Sequence, residues 1–134
     1  MAVSSQQASS NITCINHGNV NVFCYLRVSG PVYGPAEIIN ETTGQVLTIL
    51  ASDTYGVPVV DENQFLDIDT RDRDVHKGDA SLGEESEVSS RGLLAPLIDW
   101  IELVPGENII NFTDYGSTGV TPLLQVYWRS GWIG

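Results

Sequence analysis

The sequence is short of positive charge. Its 134 residues hold 6 Lys and Arg against 17 Asp and Glu, a formal net charge of -11. A surface of that sign repels phosphate backbones and anionic lipid, so neither nucleic acid nor a charged membrane face is an expected partner. Its simplest consequence is solubility. Apolar runs are short as well. The longest, Gly92–Ile98, falls far below the ~20 residues of a membrane-spanning helix. Met1–Asn11 carries no Lys or Arg, which excludes a secretory signal peptide and leaves the cytoplasm as the expected place of assembly. Two cysteines, Cys14 and Cys24, are too few for a disulfide framework or a structural zinc site. No phosphate-cradling glycine loop is present. No cofactor or metal is expected.

What is there suits one globular domain. Hydrophobic residues make up 42 % and charged residues 17 %, values of a chain that folds rather than stays disordered. A chain of this length buries roughly two thirds of the surface it exposes when unfolded, enough for a real core. Residues 1–11 are polar and rich in Ser, Gln and Ala, and are expected to form a flexible arm before a domain over 12–134.

Periodicity assigns that domain to the all-β class. In Val20–Val28 the even positions Val20, Val22, Cys24, Leu26 and Val28 are apolar and alternate with Asn21, Phe23, Tyr25 and Arg27, the period of a half-buried strand. Further strands are expected over Ile12–Ile15, Glu37–Asn40, Val46–Leu50, Phe65–Asp69, Trp100–Leu103, Ile109–Thr113 and Leu123–Arg129. Turn signals at His17-Gly18-Asn19, Gly30-Pro31, Gly34-Pro35, Thr42-Thr43-Gly44 and Pro105-Gly106 punctuate them. Residues 77–91 read as a surface loop, and Leu93–Ile98 as a helical turn broken by Pro96. No stretch has sustained helical periodicity. Eight to ten short, regularly spaced antiparallel strands point to a β-sandwich or jelly roll. The expected core is Val20, Val22, Leu26, Val28, Ile38, Leu47, Ile49, Ile68, Ile110, Phe112, Leu124 and Val126.

Candidates for chemistry are sparse. A nucleophile–histidine–carboxylate triad needs an oriented base. The two histidines, His17 and His76, both read as exposed turn residues, His76 at the tip of a hairpin. Asp67, Asp69, Asp72 and Asp74 are interleaved with Arg71 and Arg73, the pattern of a salt-bridged face rather than of a calcium loop with its trailing Glu. If the strands around Asn19 pair, Cys14 and Cys24 face each other on the core side, either as two buried free thiols or as a cross-strand disulfide. Tyr127, Trp128, Arg129 and Trp132 gather aromatic rings beside a guanidinium. This combination serves as an interface anchor, as core filling or as a sugar-stacking platform.

The ordered set Asn16-His17-Gly18-Asn19, Gly30-Pro31-Val32, Ile39-Asn40-Glu41-Thr42-Thr43-Gly44, Asp67-Ile68-Asp69-Thr70-Arg71, Trp100–Asn108 and Tyr127–Ile133 resembles the C-terminal domain of siphophage distal tail proteins and related minor tail proteins. The resemblance spans Ile12 to Ile133. It implies a galectin-like or jelly-roll β-sandwich without enzymatic activity, on the outside of a virion. Distal tail proteins carry a further N-terminal domain that builds a ring, whereas only Met1–Ser10 precedes the sandwich here. The expectation is therefore an accessory protein on the capsid or tail. Its partners would be other phage structural proteins in a symmetric array or homo-oligomer, and host glycans are the alternative ligand.

Overall fold

A computed structural model describes residues 4–8, 11–54, 56–79, 83–114 and 122–133. Among these residues the chain is an antiparallel β-sandwich whose helical content is one 3-10 turn, Arg91–Leu93. The strands are β1 (Ser4–Ala8), β2 (Asn11–Asn16), β3 (Val22–Phe23), β4 (Tyr25–Ser29), β5 (Ala36–Asn40), β6 (Gln45–Ile49), β7 (Gln64–Asp69), β8 (Asp74–Asp79), β9 (Gly83–Ser89), β10 (Glu102–Leu103), β11 (Gly106–Asp114) and β12 (Leu123–Trp128). A six-stranded sheet runs β1-β12-β4-β7-β8-β9, a four-stranded sheet β2-β11-β5-β6, and β10 pairs with β3 as a small third sheet.

Period-two alternation builds the layers, because successive strand side chains point to opposite faces. Ile12 and Cys14 of β2, Ile38 of β5, Leu47 and Ile49 of β6, and Ile110 and Phe112 of β11 face inward from one sheet. Leu26 and Val28, Leu66 and Ile68, and Leu124, Val126 and Trp128 face them from the other. Ten of the twelve expected core residues are buried. Val20 and Val22 are half-buried, because the run that holds them leaves the sheet early.

That run is the first correction. Val20–Val28 is not one strand. It breaks at Cys24, so that β3 pairs with β10 while β4 lies between β12 and β7. Thr70 fills the break: its hydroxyl accepts the Cys24 N–H at 2.9 Å and donates to the Cys24 carbonyl at 2.9 Å. β2 and β4 thus lie in different sheets, and the expected pairing about Asn19 does not occur.

The acidic stretch differs too. The β7–β8 hairpin turns at Thr70–Arg73, with Arg73 at a left-handed φ of 55°, rather than at His76. His76 is a half-buried residue inside β8. Within the stretch expected to be a loop, β8 continues to Asp79 and β9 (Gly83–Ser89) pairs with it as the sheet's edge. An edge strand has one neighbour and gains from charge that discourages further pairing, so its glutamate-rich sequence lacks the apolar alternation of an inner strand. Leu93–Ile98 is not a helical turn either. It runs along the free edge of β6, where the Leu50 N–H reaches the Leu93 carbonyl and the Ala95 and Asp99 N–H groups reach Thr48 and Val46. The backbone groups of β6 need partners, and this irregular segment supplies them around a proline that has no N–H to give. Ser4–Ala8, within the segment expected to be an arm, lies antiparallel on β12 with Ser4 opposite Trp128.

Candidate functional site

The break at Cys24 bends β3 away from β4 and opens a groove of about 650 Å3 at one end of the six-stranded sheet. Asn21, Val22, Phe23, Cys24 and Tyr25 form one wall. Asp69 and Arg71 come from the end of β7, and Tyr127, Trp128 and Arg129 from the end of β12. Cross-strand register explains the gathering. Tyr127, Tyr25 and Asp69 are directly opposite one another on β12, β4 and β7, and paired residues on one face of a sheet lie within contact distance. The rings of Tyr25 and Tyr127 meet edge to face, with centroids 6.4 Å apart.

Tyr127, Trp128 and Arg129 therefore come together as sequence spacing suggested, but in different roles. Trp128 is 5 % exposed, and its indole N–H donates to the Ile15 carbonyl of the opposite sheet at 3.0 Å. It belongs to the core and offers the groove only an edge. Arg129 is exposed and Tyr127 half-buried. Trp132 does not line the groove. Phe23, Tyr25, Asp69 and Arg71 line it as well. In the sequence Asp69 and Arg71 belong to a charge run, and the two aromatics to the outward half of an alternating strand.

The next row of the same outer face is a polar cluster. Arg27 and Asp67 are opposite each other, and His76 is opposite Asp67. The Arg27 guanidinium donates from Nε and Nη2 to the two Asp67 oxygens at 2.7 and 2.8 Å, and stacks 4.2 Å above the Phe65 ring. Hydrogen bonding to Asp67 holds the Arg27 pKa above its ordinary value, and the nearby Tyr25 and Tyr127 act in the same direction. The expected pairing of Asp67 with its sequence neighbours Arg71 and Arg73 gives way to this cross-strand pair. Asp69 Oδ1 instead accepts the Arg71 and Asp72 N–H groups of the turn, at 3.0 and 3.2 Å. His76 Nε2 also lies 3.0 Å from Asp74 Oδ2.

Cys14 and Cys24 are free and buried. Burial pushes both thiols up to about 12; at Cys24 this outweighs the lowering effect of the Thr70 hydroxyl hydrogen bond. Thiols held so far from the thiolate are poor nucleophiles.

A second region is wired by three buried asparagines. Asn108 donates to the Cys14, Val104 and Gly106 carbonyls and accepts from the Val104 N–H and from Asn40 Nδ2. Asn40 also donates to the Glu102 carbonyl and accepts the Thr42 N–H. Asn16 donates to the Val20 and Leu103 carbonyls and accepts the Gly18 and Gly131 N–H groups. The segment Ser130–Ile133 is anchored there. The Asn19 N–H reaches the Gly131 carbonyl at 2.8 Å, and the Asn19 side chain exchanges two 2.8 Å bonds with Ile133. Gly18 and Gly131 approach so closely that a Cβ on Gly18 would overlap the Gly131 carbonyl. On this anchored segment Trp132 and Ile133 are 61 % and 72 % exposed.

Among the described residues no group of three or more His, Cys, Asp or Glu side chains is arranged to hold a metal, and no helix is long and apolar enough to cross a membrane. Comparison with protein-family models, curated proteins and solved structures finds no match to the chain.

Proposed function

We propose that this chain is a non-enzymatic bacteriophage virion protein, a small accessory sandwich carried on the outside of the capsid or tail after assembly in the host cytoplasm. The phage part of the reading rests on the ordered motifs from Asn16 to Ile133. The observation that carries docking is the anchored segment Ser130–Ile133. Its backbone is held by Asn16 and Asn19, and the Ser130 hydroxyl accepts the His17 N–H, yet it presents Trp132 and Ile133 to solvent. An exposed tryptophan on a held backbone loses less conformational freedom on docking than one on a free chain, and such residues dominate interface energetics. Among the described residues that line the groove, Asp69 is the one carboxylate; glycoside hydrolysis by the usual route uses two across the scissile bond.

The test is rebinding of purified protein to particles that lack it, with mass spectrometry of intact virions. Saturable binding and presence in the virion are expected. Trp132→Ala should weaken attachment by roughly 2 kcal/mol or more, the size of an interface hot spot. Absence from virions together with no rebinding would refute the proposal.

A second reading, a carbohydrate-binding module for host glycans, is favoured by one specific observation. Phe23 and Tyr25 are 40 % and 38 % exposed along the groove, beside Tyr127 and the hydrogen-bonding Asn21 and Asp69. Flat rings next to polar groups suit sugar faces and their hydroxyls. A flat response on a glycan array would remove this reading and leave the first intact.

A further inference from the structure

Positive charge is scarce enough in this chain that each cation can be accounted for. Arg27 is committed to Asp67. Lys77 Nζ donates to the Val59 carbonyl. Arg91 donates to the Leu94, Ala95 and Pro96 carbonyls and lies over Trp100. Arg71, Arg73 and Arg129 remain, and among the described residues their side chains make no ion pair. Arg71 and Arg129 line the aromatic groove, and Arg73 belongs to the same turn as Arg71. A chain with 17 acids and a net charge of -11 thus places two of its three guanidinium groups without an ion pair, Arg71 and Arg129, at one groove.

We infer that the groove binds an acidic saccharide, a sugar chain carrying carboxylate or phosphate groups. This rests on the carbohydrate reading above. In this assignment Phe23 and Tyr25 stack on sugar faces, while Arg71 and Arg129 take the anion through charge-assisted hydrogen bonds. Asp69 Oδ1 is occupied by the turn, and Oδ2 is directed to sugar hydroxyls. Two arguments favour a saccharide over an acidic peptide or nucleic acid. A carboxylate within the groove repels a continuous run of anions but accepts hydroxyls. The protein's own negative field also disfavours a densely charged polymer while tolerating one anionic group among neutral sugars.

The experiment is calorimetry of the intact protein with bacterial surface polysaccharides that carry uronate or phosphodiester groups. Each is paired with its carboxyl-reduced or dephosphorylated form, with a poly-glutamate peptide as a further arm. The charged forms should bind at least tenfold tighter than their neutral partners, with weakening at higher salt. Arg71→Gln and Arg129→Gln should each remove about tenfold, roughly one charge-assisted contact, without moving the thermal transition. The uronate and phosphodiester arms tell the two anion sources apart, and a preference for either supports the inference. Equal binding of charged and neutral forms would overturn it and leave the carbohydrate reading standing. No binding to any saccharide would sink both. Equal or tighter binding of poly-glutamate, or a charge preference unmoved in both Arg variants, would also overturn it.

Discussion

The asparagine-wired end and the aromatic groove are built on opposite principles. At the first, side-chain amides complete backbone hydrogen bonds in turns that two sheets alone would leave open. Asn16, Asn40 and Asn108 are between 0 % and 2 % exposed, and their polar atoms are satisfied. At the second, side chains extend outward from strands whose backbone is already paired, so aromatic and guanidinium groups keep free surface. One region spends its polar residues on holding the chain, the other on what the chain can touch. The difference also sorts the motifs that carry the phage-tail resemblance. Asn16-His17-Gly18-Asn19, Asn40-Glu41-Thr42 and the approach to Asn108 are structural corners, and their polar residues say little about ligand.

The largest effect should come from breaking the wired end. Asn108→Ala removes a side chain with hydrogen bonds to the Cys14, Val104 and Gly106 carbonyls, the Val104 N–H and Asn40 Nδ2. Buried groups left unpaired cost about 1–3 kcal/mol each, with partial recovery by relaxation. A loss of roughly 4 kcal/mol is expected in denaturant unfolding. A loss below 1 kcal/mol would mean that the corner is not wired as described.

How much of this was legible follows from the same contrast. Alternation at Leu26, Val28, Ile38, Leu47 and Ile49 gave the all-β class and most of the core, since burial on one face of a strand writes itself into the sequence with period two. β9 reads as a surface loop and the edge segment Leu93–Ile98 as a helical turn, because edges bury little and carry little apolar alternation. The break at Cys24 was invisible because both halves of the run keep the same parity, and the partner that makes it, Thr70, lies far along the chain. The groove was half legible. Tyr127, Trp128 and Arg129 stood out as a local cluster, whereas Phe23, Tyr25 and Arg71 join them only through cross-strand register.

The cysteines link the two regions: the Cys14 carbonyl takes an Asn108 bond, and Cys24 sits beneath the groove. Burial raises both thiols in the folded chain to about 12 from the ordinary 9.0 they regain on unfolding. The stabilisation from keeping them neutral is therefore whole below pH 9 and erodes as pH rises, until it is lost near pH 12. Between these limits each thiol should cost up to about 1.4 kcal/mol per pH unit. Stability of the wild type should fall more steeply above pH 9 than that of a Cys14→Ala, Cys24→Ala variant. Parallel curves would show that the thiols are not held in apolar surroundings.

A small effect on stability should follow truncation in the groove, at Phe23. Its ring is 40 % exposed and its strand contributes two residues paired with Glu102 and Leu103. Truncation to Ala leaves no sealed cavity, so the full cost of about 3–5 kcal/mol for a buried aromatic does not apply. A loss within about 1 kcal/mol is expected, near the range of surface substitutions. Saccharide binding should nevertheless drop, because a stacking platform works through the same exposed face that the fold leaves unused. Trp128 lines the same groove yet bridges the sheets through Ile15, so its truncation would confound binding with folding. Phe23→Ala separates them: stability kept and sugar affinity lost marks the groove as a surface built for contact. A large stability loss instead would return Phe23 to the core and take the contrast between the two regions with it.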